Sequence, residues 1–173
     1  MFLDDIIESK STKNPAEALN LIRDKIVNTL KQSGNIGENK DGMDITICCI
    51  DKKNNELTYA SANNSLYLIR NNVVTVYKGD KQPCGFYHIN KPFTSHTISL
   101  MPNDCIYTFT DGFADQFGGP KGKKFRSKQF EETLLKNVND SFSVQKNKLS
   151  LAIENWKGDL EQVDDILVIG VKI

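Results

Sequence analysis

The chain has 173 residues, of which 39% are hydrophobic and 25% charged, and its 22 basic side chains balance 22 acidic ones to a formal net charge of zero. That composition suits one soluble domain long enough to bury a core, and it argues against a disordered chain, a membrane-spanning bundle, and a protein drawn by net charge to nucleic acid or an anionic bilayer. The start, Met1-Phe2-Leu3-Asp4-Asp5, has neither a basic head nor a long apolar stretch, so no secretory leader is read and a cytoplasmic location is expected.

Phe2, Leu3, Ile6 and Ile7 recur at helical spacing, so residues 2–8 read as the end of a helix. Asn14-Pro15 opens a second, with asparagine as N-cap and proline at the first helical position. Leu19, Ile22, Ile26, Val27 and Leu30 form its apolar face, and Gly34 is expected to end it. After a polar loop at 35–42 come strand-like runs at 45–50, 57–62, 66–70 and 73–77. Asn54-Asn55 and Asn71-Asn72 suit tight hairpin turns, so 44–77 is predicted as one antiparallel meander.

Residues 78–92 are read as a loop, 93–100 as a strand, and 105–110 as a short buried strand running into Asp111-Gly112. The glycines and proline of 111–124 predict a surface loop. Two helices follow, with Ser127 and Ser143 as expected caps. The first would bury Phe130, Leu134 and Val138. The second would bury Leu149, Ile153 and Trp156 and stop at Gly158. A buried strand at 166–173, entered through Asp164-Asp165, closes the chain. Strands, then helices, then a strand, with no repeat or linker, predict one mixed α/β domain over 1–173.

Cys48, Cys49, Cys84 and Cys105 form no C-x-x-C pair, so they are expected as reduced, packed thiols, with Cys48 and Cys49 on opposite faces of a strand. His88 and His96 have no carboxylates at metal-ligand spacing and are read as surface or packing residues. The basic, glycine-rich run at 118–124 lacks the phosphate-loop pattern G-x-x-x-x-G-K-[ST]. It is read as a solvated loop, with lysine contacts to a phosphoprotein as the alternative.

Two places suggest chemistry, and each sets an acidic residue at the end of an apolar strand: Thr110-Asp111-Gly112 and Val163-Asp164-Asp165-Ile166. A strand in a sheet holds a carboxylate rigidly, and a partly buried carboxylate wants a cation or strong donors. Carboxylates without neighbouring cysteine or histidine make an all-oxygen site that favours Mg²⁺ or Mn²⁺ over zinc or copper. Two such ions acidify a water and let it attack phosphorus. Taken singly, each motif is also a common turn or strand cap.

In combination the motifs resemble the SpoIIE-like branch of the metal-dependent (PPM-type) protein serine/threonine phosphatases, over the C-terminal portion of that domain. The resemblance rests on the run 106–119 around Thr110-Asp111-Gly112 and on 156–170 around Asp164-Asp165. It rests also on Asp41-Gly42-Met43-Asp44, on Tyr59-Ala60-Ser61-Ala62-Asn63-Asn64 and on Lys81-Gln82-Pro83-Cys84-Gly85. It implies an αββα sandwich of two antiparallel sheets flanked by helices. It implies Asp111 and Asp164 as catalytic metal ligands in a binuclear Mn²⁺ or Mg²⁺ site, with Gly112, Asp115 and Asp165 as supporting residues.

By the same resemblance the substrate is a phosphoprotein, such as an anti-sigma-factor antagonist, and a sensor domain lies upstream. The family's earlier G-D-x-x-D and D-x-x-G-H-G motifs do not occur in the sequence. The expectation is therefore a domain truncated at its N-terminus, with fewer ligands than a complete site and with exposed sheet edges. The alternative reading is a truncated, non-catalytic interaction domain of the same fold.

Overall fold

The computed structural model describes residues 14–34 and 41–173, so the helix expected over 2–8 lies outside the described residues. In chain order the elements are α1 (Pro15–Thr29), β1 (Gly42–Met43), β2 (Ile45–Asp51), β3 (Glu56–Ala62), β4 (Leu66–Arg70), β5 (Val73–Tyr77), β6 (Cys84–Gly85) and β7 (His96–Ser99). They continue with β8 (Cys105–Phe109), α2 (Gly112–Asp115), β9 (Phe117–Gly118), β10 (Lys123–Lys124), α3 (Ser127–Asn137), α4 (Phe142–Lys157) and β11 (Val168–Lys172). Contacts divide them into two units, Met1–Ser65 with Lys78–Met101, and Leu66–Tyr77 with Pro102–Ile173.

In the first unit α1 begins as its sequence dictates. Asn14 Oδ1 accepts the amide hydrogens of Ala16 (2.9 Å) and Glu17 (3.4 Å), with Pro15 at the first helical position. The helix stops at Thr29, well before Gly34. Lys31 takes φ +50° and donates to Asn28 O (3.3 Å), while Gln32 N–H reaches Val27 O (2.9 Å). These two bonds close the helix in a Schellman arrangement with lysine in the left-handed position, so Gly34 is not its terminator.

Strands β2, β3 and β7 form an antiparallel sheet in that order. Leu19 and Ile22 of α1 pack with Ala60, Ala62, Cys84 and Phe93. The strand expected at 93–100 forms only over His96–Ser99, because α1 side chains take up the preceding backbone. Arg23 donates to Lys91 O (2.6 Å), Phe93 N–H donates to Asn20 Oδ1 (3.1 Å), and the Arg23 guanidinium lies 5.0 Å from the centre of the Phe93 ring.

The predicted meander breaks after β3, which pairs with β2 and β7, whereas β4 pairs with β5 and β8. Asn63 turns at φ +57° and gives its N–H to Asp80 O (2.8 Å), while Asp80 N–H bonds Ser61 O (2.9 Å). The backbone groups that a β3–β4 hairpin needs are thus spent on residue 80.

All four cysteines are free, but only Cys84 and Cys105 are packed, since Cys48 and Cys49 are exposed. Burial pushes the Cys84 thiol up to about 11. In a timed thiol titration of the native protein, Cys84 and Cys105 should stay unmodified while Cys49 reacts, and all four should react in denaturant. Rapid native labelling of Cys84 would contradict this packing.

In the second unit β11, β8, β4 and β5 form an antiparallel sheet in that order. The two-residue turn between β4 and β5 is the expected one, with Asn71 and Asn72 at φ +50° and +59°. The core gathers Tyr67, Tyr107, Phe113, Phe125, Phe130, Leu134, Leu149 and Ile153 from the sheet, α2, α3 and α4. At one end of β8, Arg70 grips the buried Asp104 carboxylate through two bonds of 2.8 and 2.6 Å.

The helix caps differ from expectation. Arg126, at φ +73° and ψ 148°, precedes α3, so Ser127 is its first residue and not its cap. Ser141 caps α4 by accepting the Val144 N–H (3.4 Å), two residues before Ser143. The expected burial of Phe130, Leu134, Val138, Leu149 and Ile153 holds, Trp156 is half-buried, and Gly158 ends α4 at φ +57°. The fold is a mixed α/β arrangement of antiparallel sheets and helices.

Candidate metal-binding site

The second unit brings the two acidic motifs together. Strand β8 ends at Phe109, and pairing with β11 sets Phe109 opposite Val168. Beyond that pair the chains stay joined through Thr110. Its N–H bonds Leu167 O (3.1 Å), and its hydroxyl donates to Asp165 O (2.8 Å) while accepting from Leu167 N–H (2.9 Å). One threonine therefore clasps the 165–167 backbone to the root of Asp111.

Gly112 completes the approach. A Cβ at this position would collide with the Asp165 carbonyl oxygen, and it would lie 3.0 Å from the carbonyl carbon and 3.2 Å from Ile166 Cγ1. Any side chain here would drive the two motifs apart.

Asp111 is exposed and begins α2, with φ −71° and ψ −17°. Its neighbours Phe109 and Phe113 both rest on the Phe130 ring, at centroid distances of 4.9 and 4.7 Å. Two aromatic anchors thus hold the segment that carries the carboxylate. Asp164 is exposed, and its Oδ1 accepts the Asp165 N–H (2.7 Å). Asp165 is exposed as well and enters the clasp through its backbone carbonyl. Asp115, one turn along α2 from Asp111, forms an ion pair with Lys124 (2.7 Å).

The rigidity of the Asp164-Asp165 pair has a different source from the one expected. Strand β11 begins at Val168, not at residue 166, so the acidic pair stands in a loop before the strand. Nor is the strand buried, since Ile169 is 50% and Val171 37% exposed. The loop is held by Thr110 and by Gln116, a residue that the sequence reading passed over.

Gln116 is fully buried, and its Nε2 donates to Phe117 O (3.0 Å) and Glu161 O (2.9 Å) while its Oε1 accepts the Val163 N–H (3.3 Å). Its backbone carbonyl accepts the indole N–H of Trp156 (3.1 Å). One amide side chain thereby ties the end of α2 to the residue before Asp164. No sequence signal marks it, because a buried glutamine is defined by partners more than forty positions away.

The donor chemistry fits a hard cation, since every candidate side chain offers carboxylate oxygen. The number of donors falls short of a full cage. Among the described residues no group of three or more histidine, cysteine, aspartate or glutamate side chains is placed to hold a metal ion. Asp111 and Asp164 stand on backbone segments that the Thr110 clasp joins. His88 and His96 are exposed in the first unit, His96 stacked on Tyr59 at 5.1 Å. Asp44, in the same unit, accepts a bond from Asn63 Nδ2 (2.8 Å).

The family model for stage II sporulation protein E (SpoIIE) matches residues 4–173. No curated protein matches the chain. Among solved structures, the SiaA-PP2C domain of Pseudomonas aeruginosa is similar at 24% identity and a TM-score of 0.87, covering 99% of this chain and 65% of that one. The phosphatase domain of the cell fate determinant SpoIIE from Bacillus subtilis, in its Mn-presoaked form, matches at 16% identity and a TM-score of 0.61, covering 99% and 71%.

The serine/threonine phosphatase PstP/Ppp of Mycobacterium tuberculosis matches at 12% identity and a TM-score of 0.63, covering 99% and 80%. The chain thus spans 65% of the SiaA-PP2C chain. At these identities the likeness establishes the fold, which is that of PP2C phosphatase domains. With residues 4–173 matched by its model, the chain belongs to the SpoIIE family of PP2C-type phosphatases.

Proposed function

We propose that this chain is the C-terminal part of a SpoIIE-like phosphatase domain that hydrolyses phosphoserine or phosphothreonine on a regulatory protein in bacterial signalling. The observation that carries the reading is the clasp in which Thr110 holds Asp165 O at 2.8 Å, joining the Asp111 and Asp164 motifs. Asp111 and Asp164 would hold Mn²⁺ or Mg²⁺, with further ligands from outside the described residues. Bound there, such ions neutralise phosphoryl charge and acidify water.

The residues of the chain itself position the site. Gly112 keeps the two backbones in contact, Thr110 and Gln116 hold the Asp164 loop, and Asp165 and Asp115 stand beside the ligands. The manganese-soaked SpoIIE structure and the serine/threonine activity named for PstP support the choice of ion and substrate. The partners in this reading are an anti-sigma-factor antagonist as substrate and a sensor domain upstream. A cytoplasmic location belongs to the same reading. Among the described residues no helix is long and apolar enough to cross a membrane.

The test is Mn²⁺-dependent hydrolysis of p-nitrophenyl phosphate, with Mn²⁺ binding followed by calorimetry, in the native chain and in Asp111→Asn. The variant should lose Mn²⁺ affinity and turnover by at least the roughly 10–100-fold seen when even a supporting contact to a metal ligand is removed. Equal turnover in the variant would sink the reading. A second reading, a non-catalytic interaction domain, is favoured by the lack of a three-ligand cluster among the described residues. Absence of both Mn²⁺ binding and turnover, also in a longer chain that carries the G-D-x-x-D and D-x-x-G-H-G motifs, would select it.

A further inference from the structure

The basic hairpin β9–β10 is left without a role by the catalytic reading. Between Asp115 and Glu131 the chain carries Lys121, Lys123, Lys124, Arg126 and Lys128 and no acidic residue, although the protein as a whole is neutral. All five are exposed.

We propose that this hairpin grips a protein segment rich in aspartate and glutamate that flanks the phosphorylated residue. The inference rests on the phosphatase reading and adds to it the kind of sequence recognised.

Placement is the first argument. Lys124 bonds Asp115, which stands one helical turn from Asp111. Residues so spaced have Cβ atoms about 5–6 Å apart. The positive edge therefore begins within a side chain's length of the proposed metal ligand. A segment whose phosphorylated residue sits at Asp111 would lay its neighbours along Lys121 and Lys123.

Rigidity is the second argument. Gly119 N–H bonds Trp156 O (2.7 Å), Phe125 N–H bonds Gln116 O (2.9 Å), and Arg126 N–H bonds Ala114 O (2.7 Å). Gly118 packs so closely on Trp156 that a Cβ there would overlap the Trp156 carbonyl oxygen. Lys124 Nζ also lies 5.9 Å above the Phe117 ring. Charges on a pinned hairpin need little ordering on binding, which favours recognition. Arg126 keeps a side chain at φ +73° and ψ 148°, a backbone region in which residues other than glycine are strained.

Size and sign select the partner. Nucleic acid binding needs a basic surface long enough to follow many phosphates. This patch is one short hairpin with five basic residues, too short to follow many phosphates. A phosphorylated protein segment brings one phosphate and a few carboxylates, which the patch can match.

The experiment measures fluorescence anisotropy of labelled phosphoserine peptides on the intact chain, with EDTA present so that no turnover occurs. One peptide has acidic flanks and one has neutral flanks. The native protein should prefer the acidic peptide, with an affinity that falls as salt rises. The double variant Lys121→Gln/Lys123→Gln should bind it roughly 3–10-fold more weakly, with a shallower salt dependence. Lys52→Gln/Lys53→Gln, with the same charge change on exposed residues of the first unit, should bind as the native protein does.

Equal binding of the two peptides, or unchanged binding by the hairpin variant, overturns the proposal. So does tighter, hairpin-dependent binding of a single-stranded oligonucleotide of equal charge. Failure of the catalytic reading would look different: hairpin-dependent peptide binding would persist while the native protein showed no Mn²⁺-dependent turnover.

Discussion

Gly112→Ala should both destabilise the protein and weaken divalent-cation binding. The new methyl group would collide with the Asp165 carbonyl oxygen and lie 3.0 Å from the carbonyl carbon and 3.2 Å from Ile166 Cγ1. Neither side can easily yield. Asp165 O is held by the Thr110 hydroxyl, and Leu167 is held by two further bonds to Thr110. On the other side α2 is anchored by Phe113, which is buried against Phe125 and Phe130.

Overpacking of this kind costs about 1–3 kcal/mol, and breaking the clasp adds about 1 kcal/mol for each bond lost. Urea unfolding should show the loss as a lower midpoint at unchanged slope. Mn²⁺ affinity should fall on the order of 10–100-fold, because the two ligand segments no longer share one geometry. A variant with native stability and native Mn²⁺ affinity would show that the two motifs are not in contact.

Phe130→Ala should also destabilise the protein strongly. The side chain is fully buried, and its ring meets Phe109 at 4.9 Å, Phe113 at 4.7 Å and Tyr67 at 6.2 Å. Truncation removes the surface on which both aromatic neighbours of Asp111 rest. Phenylalanine-to-alanine changes in cores cost about 3–5 kcal/mol, the spread depending on how far the cavity collapses.

Any collapse here moves Phe109 and Phe113, so Asp111 should shift with them. Urea unfolding reports the first effect. Mn²⁺ titration of the folded variant, at a denaturant concentration well below its midpoint, reports the second. Phe130→Leu, which refills most of the volume, should recover most of the stability. If Phe130→Ala unfolds like the native protein, Phe130 is not the floor of this site.

Local chemistry was legible in the sequence wherever a few adjacent residues decide the outcome. Asn14-Pro15 starts α1, and Asn71-Asn72 turns β4 into β5, because a cap or a two-residue turn is settled by side chains within reach of their own backbone. Where alternatives were equally local, their ranking escaped the sequence. Ser143 was the expected cap of α4, yet Ser141 holds that position by accepting the Val144 N–H. Ser127 lost the cap position to Arg126, whose N–H is drawn to Ala114 O (2.7 Å). Residues 93–95 read as strand, yet Arg23 and Asn20 bond the 91–93 backbone from 68 and 73 positions away.

The candidate site divides along the same line. Thr110-Asp111-Gly112 and Asp164-Asp165, their all-oxygen donor chemistry and the SpoIIE resemblance are properties of residue identity and order, so the linear chain carries them, and the family match over residues 4–173 agrees. That Thr110 closes on Asp165, that Gly112 leaves room for it, and that buried Gln116 ties residues 161 and 163 to the end of α2 are facts of the fold. Each joins segments more than forty positions apart. Hydrogen-bond partners and close approaches at that separation depend on how β8, β11 and the helices pack, which no local pattern of residue types encodes.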